Sequence, residues 1–259
     1  MIRVALALAV REFTRFRRQP QRVVGTVAQP LLFWAFLGSG FSSSFRAPGM
    51  EQTSYLEYLY PGVMLMMMLF ASIFSSITVI EDRDQGFLQG VLVAPVPRLA
   101  IVLGKAGGGA AIALVQVLIL TIAAPFLGLH PGAGALALLL LAYALASIGF
   151  AATGFIFAWG MESSAGFHAI MMVFLMPLWM LSGALFPIES APGWLHAIMI
   201  VNPVSHALTL MRDPFYMDAN AMLASPRYLA ALAVTLAWAV LSLAWAMARV
   251  ERRERGAAA

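Results

Sequence analysis

Long apolar runs, separated by short polar segments, dominate the chain. Six of these runs reach the length of about 20 residues that a helix needs to cross a bilayer. We place them at about 23–41, 58–80, 101–127, 135–158, 167–186 and 228–248. Because backbone polar groups in hydrocarbon must be satisfied within the protein, we expect all six to be α-helices. The pattern predicts an all-α polytopic membrane protein that forms one domain over residues 1–259.

Residues 1–21 form a seventh, different segment. Val4 and Leu8 fall on one predicted helix face and Arg11 and Arg15 on another, and a proline then ends the helix. An apolar face beside a basic face suits the boundary between lipid headgroups and acyl chains. We therefore predict an N-terminal interfacial amphipathic helix, with a solvated basic tail as the alternative.

Residues 187–227 are punctuated by five prolines. The apolar pieces between them, such as 194–201, are too short to cross a membrane. We predict short helices that lie on the interface or re-enter it between spans five and six.

Composition supports a membrane protein. Only 11% of the 259 residues are charged, 61% are hydrophobic, and there is no cysteine. A soluble domain has about 25% charged residues. The absence of cysteine excludes disulfides, thiolate metal sites and a cysteine nucleophile.

The net charge of +4 raises the possibility of nucleic acid binding, but the positions of the basic residues favour a different explanation. Most of them flank alternate ends of the six spans, as the preference of Lys and Arg for the cytoplasmic side requires. With six spans, one side has Arg3, Arg11, Arg15, Arg17, Arg18, Arg22, Arg83, Arg98, Lys105, Arg249, Arg252, Arg253 and Arg255, and the other has Arg46, Arg212 and Arg227. Both termini and the segment 82–98 are therefore predicted to be cytoplasmic, and no nucleic acid partner is expected.

Two enzymatic interpretations fail. Gly104-Lys105 is followed by alanine where a phosphate-binding loop needs Ser or Thr, so the chain has no nucleotide site and cannot hydrolyse ATP alone. The glycines around Lys105 instead indicate close helix contacts. Ser164 and His168 lack the carboxylate of a hydrolase triad, and serines at a helix start are normally caps. We expect no enzyme and no metal site.

An ion-coupled carrier is also disfavoured, because acidic residues such as Glu57, Glu81 and Glu162 are assigned to span ends. The energy for any transport would then come from outside this chain. The charged segment 82–98 is the candidate point of entry.

Two stretches resemble the membrane subunits of bacterial ABC exporters of the ABC-2 type, in the drug-resistance and nodulation-type branch. The first is 81–89, continuing through Pro95, Arg98 and the Gly104-Lys105 pair. The second runs from Leu181-Ser182-Gly183 through Asn202-Pro203 to Arg212. With the six-span layout, the resemblance covers essentially the whole chain.

The resemblance implies a bacterial inner-membrane exporter in which two copies of this chain bind two separate ATP-binding subunits. ATP and Mg would be held by those subunits, and this chain would bind no cofactor. It also implies that 82–98 contains a coupling helix. We expect the ATP-binding subunit to contact Arg83, Asp84, Gln85, Phe87, Leu88, Val91, Pro95 and Arg98. Within this set, an apolar anchor would consist of Phe87, Leu88 and Val91, and a polar rim of Arg83, Asp84 and Arg98.

For the segment 187–227 the resemblance implies an extracytoplasmic gate. Its residues would be Pro187, Trp194, Asn202, Pro203, His206 and Arg212. The substrate path is predicted at residues with adaptable or aromatic apolar side chains, namely Phe33, Phe36, Met64, Met67 and Met171. They suit an amphipathic or hydrophobic cargo such as a drug, lipid or glycolipid. The alternatives are a polysaccharide or lipid-linked glycan exporter and an ion-coupled carrier.

Overall fold

The computed structural model describes residues 1–41 and 53–257, with side-chain surroundings given as far as residue 251. Most of the segment between the first two predicted spans, including Arg46, lies outside the described residues, as do the side chains of Arg252, Arg253 and Arg255. Throughout the described ranges the regular structure is helical, with no strand.

The described chain contains twelve α-helices, which confirms the all-α expectation. They are α1 Ile2–Arg17, α2 Pro20–Phe41, α3 Tyr55–Ser75, α4 Ile77–Asp84, α5 Phe87–Val93, α6 Arg98–Ala123, α7 Ala133–Gly160, α8 Ser164–Trp179, α9 Gly193–Val201, α10 Pro203–Arg212, α11 Ala219–Ala224 and α12 Pro226–Ala257.

Six helical segments are long and apolar enough to cross a membrane, as predicted. They are Pro20–Phe41, Tyr55–Asp84, Arg98–Leu127, Ala133–Gly160, Ser164–Ala184 and Pro226–Glu251. Each agrees with its predicted range to within about four residues. The second span, α3 with α4, runs four residues further than predicted.

Helix α3 is the centre of the bundle. It packs against α2, α6, α7 and α8, and nearly all of its residues are buried. Helix α12 packs on the outside of α7, whereas α2 packs mainly against α3 and leaves most of its surface exposed. Exposed apolar residues on α2, α8 and α12 are expected where a bundle faces lipid rather than water.

The fifth span ends irregularly. Helix α8 contains Pro177, and a π-helical turn, Met180–Ala184, follows it, with Gly183 in the left-handed region at φ of +90°. A proline and a π-turn both free carbonyl groups from the helix ladder. Two polar side chains at the ends of α10 bond to carbonyls of this stretch. Asn202, the N-cap of α10, donates to the Leu178 carbonyl at 2.7 Å, and Arg212 donates to the Gly183 carbonyl at 3.0 Å.

Short helices occupy the region between spans five and six, as predicted. Helices α9 and α10 together have the length and apolarity of a span, but they are bent by 80° at Asn202. Asn202 accepts a hydrogen bond from the backbone of Val204 at 3.0 Å and so caps α10, and Pro203 occupies its first turn. Neither helix alone is long enough to cross a bilayer.

Candidate functional site at the turn between the second and third spans

The second span reverses direction in a tight turn at one end of the bundle. Helix α4 ends at Asp84, Gly86 adopts a left-handed conformation at φ of +75°, and α5 begins at Phe87. The positive φ favours glycine, because a side chain there would be strained. The prolines at 95 and 97 then lead into α6. The predicted coupling helix corresponds to the seven-residue α5, whereas residues 82–84 are the last part of α4.

Six charged side chains meet just above this turn. We call them the charge cluster: Arg11, Glu12 and Arg15 of α1, Glu81 and Asp82 of α4, and Lys105 of α6. The cluster balances three cations with three anions, so it has no net charge. It joins three helices that are far apart in the sequence.

Asp82 is the central anion of the cluster and is fully buried. Arg11 donates to its two oxygens at 2.7 and 3.0 Å, Arg15 donates to it at 3.1 Å, and Lys105 forms a third ion pair with it. A carboxylate without these partners would be very costly to bury. The hydrogen bonds from Arg11 to Asp82 also raise the pKa of the Arg11 guanidinium, which therefore stays protonated.

Lys105 is the central cation. It is only 5% exposed, and its ammonium donates to Glu12 at 2.6 Å as well as to Asp82. It lies seven residues into α6, about 10 Å from the start of that helix. The charge pattern of the sequence predicts only a flanking basic residue at Lys105 and acidic residues at the ends of spans. That interpretation missed this cluster, because its partners come from α1.

Two glycines allow α1 to approach α6 closely enough for these ion pairs. A Cβ atom on Gly104 would lie 2.6 Å from the Leu8 Cβ atom, and one on Gly108 would lie 2.7 Å from the Glu12 Cβ atom. Both distances are too short for any larger residue without movement of α1. The predicted close helix contact is therefore confirmed at these two positions, whereas Gly107 has open space beside it.

The structure corrects the predicted faces of α1. Leu8 faces α6 and is buried beside Glu12 instead of belonging to an outer apolar face. The exposed apolar residues are Ile2, Leu6 and Val10, which recur every four residues along one side of the helix.

The structure also corrects the predicted anchor and rim of the coupling helix. Leu88 is 2% exposed and packs in the core, so it does not share an outer face with Phe87 and Val91. Arg83 turns inward and donates to the carbonyls of Trp159 and Met161, at 2.8 and 2.9 Å.

Arg98 likewise donates to the Leu92 carbonyl at 2.8 Å. Asp84, Gln85 and Pro95 are exposed, as their predicted contact with a partner requires.

The outward surface of this turn differs from the predicted set. We call it the α5 face: Gln89, Gly90 and Val93 of α5, together with Pro95. Val93 is 87% exposed and is the apolar residue of this face. Val93 is not among the predicted contact residues. It is the last residue of α5 and lies two positions before Pro95, which is the sequence signal that could have identified it.

A groove of about 580 Å³ lies between α1 and α5. Its lining is mostly apolar, with Val4 and Ala7 on one side and Val91 and Val96 on the other. Arg11 covers the ring of Phe87, with its guanidinium carbon 3.8 Å from the ring centroid. This cation–π contact joins the charge cluster to α5 directly.

The predicted gate residues lie together at the opposite end of the bundle. Arg212 lies 4.1 Å from the centroid of the Tyr58 ring and donates to the Gly183 carbonyl at 3.0 Å. His206 contacts the Ile200 carbonyl at 2.8 Å, and Trp194 is 69% exposed. Pro187 begins a short 3-10 helix, Ile188–Ser190.

The predicted path residues do not share one surface. Met64, Met67 and Met171 are buried in the core, whereas Phe36 is 72% exposed on α2. Phe33 is half-buried and contacts the Trp179 ring edge-on, with centroids 5.3 Å apart. Within this chain the three methionines fill space between helices.

The segment with Ser164 and His168, for which the sequence disfavours a hydrolase, has structural roles: Ser164 is the first residue of α8. Ser163 caps α8 by accepting a hydrogen bond from the backbone of Gly166 at 3.2 Å. His168 stacks on Phe74 with ring centroids 4.6 Å apart. The predicted serine cap is thus confirmed at Ser163.

Comparison with known proteins identifies the family. The model of the ABC-2 type transporter family matches residues 3–216. The transport permease ycf38 of Cyanophora paradoxa is 29% identical over 214 residues, covering 82% of this chain and 73% of that protein.

Two bacterial relatives carry more specific names. The multidrug ABC transporter permease YbhR of Escherichia coli is 28% identical, covering 64% of this chain and 45% of YbhR. The daunorubicin resistance ABC transporter permease DrrB1 of Streptomyces coeruleorubidus is 25% identical, covering 78% of this chain and 71% of DrrB1. With its six spans and a family match over most of its length, the chain belongs to the ABC-2 type transporter family and is a multi-pass membrane permease.

Proposed function

We propose that this chain is the membrane subunit of an ATP-driven exporter and that a separate ATP-binding subunit docks on the α5 face. The observation that carries the proposal is the exposed α5 face. The buried charge cluster fixes α5 in place, because Arg11 of the cluster contacts Phe87 of α5. Docking of a partner on this face would remove the apolar surface of Val93 from water, which favours association. ATP and Mg would be bound by the partner, and this chain would supply no catalytic residue.

The α5 end faces the cytoplasm in this proposal, together with both termini of the chain. The support is the concentration of arginine and lysine at that end, including α1 and the turn. ATP is available on that side, and α9 and α10 at the other end would form the extracytoplasmic gate. The membrane would be a bacterial inner membrane.

A functional unit of two copies with two ATP-binding subunits provides the path. The exposed apolar faces of α2 and α8, with Phe36 and Phe174, would then line or adjoin the contact between the copies. The cargo would be amphipathic or hydrophobic. The names of two relatives, which refer to multiple drugs and to daunorubicin, favour a drug-like substrate.

Affinity purification from native membranes tests the docking. The tagged chain should bring down an ATP-binding subunit, and the complex should hydrolyse Mg-ATP. Val93→Asp should lower the recovered subunit about tenfold, since it places a charge in an apolar anchor. Val201→Asp is the matched control, because Val201 is 80% exposed at the last position of α9, away from α5.

Two results would contradict the proposal. One is that the wild-type chain recovers no ATP-binding subunit; the other is that Val93→Asp and Val201→Asp behave alike. Transport is tested in inside-out vesicles with daunorubicin as the fluorescent probe. Uptake should require ATP and should persist when ion gradients are collapsed, and uptake that follows the proton gradient instead would indicate a carrier.

A further inference from the structure

We infer that Glu12, Asp82 and Lys105 are positioning residues that join α1, α4 with α5, and the start of α6 into one unit that moves as a body during the transport cycle. This inference rests on the proposed docking of an ATP-binding subunit at α5. It extends that proposal to α1, which is not part of the α5 face. Helix α1 would belong to the unit that transmits the movement of the ATP-binding subunit to the spans.

The first argument is the burial of the three side chains. Glu12 is 3% exposed, Asp82 is fully buried and Lys105 is 5% exposed. Removing ions from water costs free energy that their mutual attraction only partly offsets, and apolar replacements of similar size commonly stabilise a protein as well. Stability alone therefore does not explain three buried charges, whereas a fixed geometry between three helices does.

The second argument is the number of independent contacts that hold α1 in place. Gly104 and Gly108 bring the α1 backbone into direct contact with α6. Arg11 bridges Asp82 of α4 and the ring of Phe87 in α5. Helix α1 is thus fixed to both sides of the turn by packing, ion pairs and a cation–π contact.

The third argument is where the helix ladder is interrupted. Helices α3 and α4 are separated at Ser76, and α4 and α5 are separated by the left-handed Gly86. Arg22 donates to the Phe74 carbonyl at 2.6 Å beside the first interruption. The cluster residues of α4, Glu81 and Asp82, lie between the interruptions at Ser76 and Gly86. A displacement of α5 would therefore move α4, α6 and α1 together, whereas α3 is separated from them by the interruption at Ser76.

A neutralised variant separates this role from simple stabilisation. The double substitution Asp82→Asn and Lys105→Met removes one anion and one cation at similar volume. Arg11 and Arg15 keep Glu12 and Glu81 as partners, so the chain should fold and recover its ATP-binding subunit at the wild-type level. We expect it to transport about tenfold less daunorubicin per ATP hydrolysed, the size of a typical coupling loss. Lys105→Arg, which keeps the cation, should retain most of the wild-type ratio.

A wild-type ratio in the double variant would overturn the inference, because the cluster would then be structural only. Failure of the wild-type chain to recover an ATP-binding subunit would instead overturn the proposed function. The two failures are therefore distinguishable.

A distance measurement tests the same inference without altering the cluster. The chain has no cysteine, so spin labels can be attached to pairs of introduced cysteines. The pair Val10→Cys and Leu103→Cys, on α1 and the start of α6, should keep its distance between the nucleotide-free and ATP-bound complex. The pair Leu103→Cys and Val240→Cys, on α6 and α12, should change its distance. All three residues are exposed and lie outside the α5 face, and equal changes in both pairs would contradict motion as one unit.

Discussion

Arg11 and Asp82, 71 positions apart in the sequence, form a two-point ion pair with nitrogen–oxygen distances of 2.7 and 3.0 Å. The planar guanidinium matches both carboxylate oxygens, which fixes direction as well as distance. This pair attaches the N-terminal helix to the last turn of the second span. Because of this pair, α1 and the turn between the second and third spans form one site.

Asp82→Asn should destabilise the protein strongly. The substitution leaves Lys105 and two arginines with only Glu12 and Glu81 as anionic partners. Breaking a buried ion pair on one side costs about 3–5 kcal/mol of unfolding free energy. Thermal unfolding in detergent, followed by tryptophan fluorescence, measures the change.

The matched control for this prediction is Asp84→Asn, because Asp84 is exposed two residues further along the same helix. Its cost should stay below about 0.5 kcal/mol, as for most surface substitutions. Equal unfolding midpoints for the two variants would show that the charge cluster contributes nothing to stability.

Gly108→Ala should loosen α1 from α6. The added methyl group would lie 2.7 Å from the Glu12 Cβ atom, so α1 has to move, at a cost of about 1–3 kcal/mol. Gly107→Ala, one position away, meets nothing within 4 Å and should leave stability unchanged or slightly higher. Unfolding midpoints in the same detergent compare them, and similar losses in both variants would argue against the close packing of α1 on α6.

The six spans could be predicted from the sequence because membrane-spanning length is a local property. Each apolar run is long enough, and its ends are marked by charged residues, glycine or proline. The second span was predicted to stop at residue 80, because Glu81 and Asp82 resemble the start of a loop. The helix continues to Asp84 because cations from α1 neutralise these acids.

The orientation of residues within the turn could not be predicted in the same way. Leu88 and Val93 are both aliphatic and belong to the same short helix, but one is buried and the other exposed. Which side of α5 faces the bundle is set by the angle at Gly86 and by contact with α1. Those constraints depend on tertiary packing, and a seven-residue helix has too few positions to reveal a face by periodicity.

Asn202→Ala should weaken the junction between α9 and α10. The amide accepts from the Val204 backbone and donates to the Leu178 carbonyl, and both bonds are lost. Loss of an N-cap costs about 1 kcal/mol, and the unpaired carbonyl adds to it. Hydrogen exchange should increase in α10 relative to Asn220→Ala, the control at an exposed position of α11. Unchanged exchange in α10 would contradict the capping role.

Cysteine labelling in intact cells should establish the orientation. Because the chain has no cysteine of its own, each single-cysteine variant reports one position. Met217→Cys, in the segment between α10 and α11 where Met217 is exposed, should react with a membrane-impermeant maleimide added outside, and Val93→Cys should react only after the cells are opened. The reverse pattern would place the α5 face outside and would remove it from contact with cytoplasmic ATP-binding subunits.

The most direct test of the central claim is cross-linking at Val93 in native membranes. Val93→Cys, treated with a short bifunctional thiol-to-amine reagent, should form a covalent product with an ATP-binding subunit, identified by mass spectrometry. The yield should differ between nucleotide-free and ATP-bound membranes, and Val201→Cys should give no such product. A cross-link to an ATP-binding subunit from Val201→Cys, or none from Val93→Cys, would contradict the account of the α5 face as the entry point for energy.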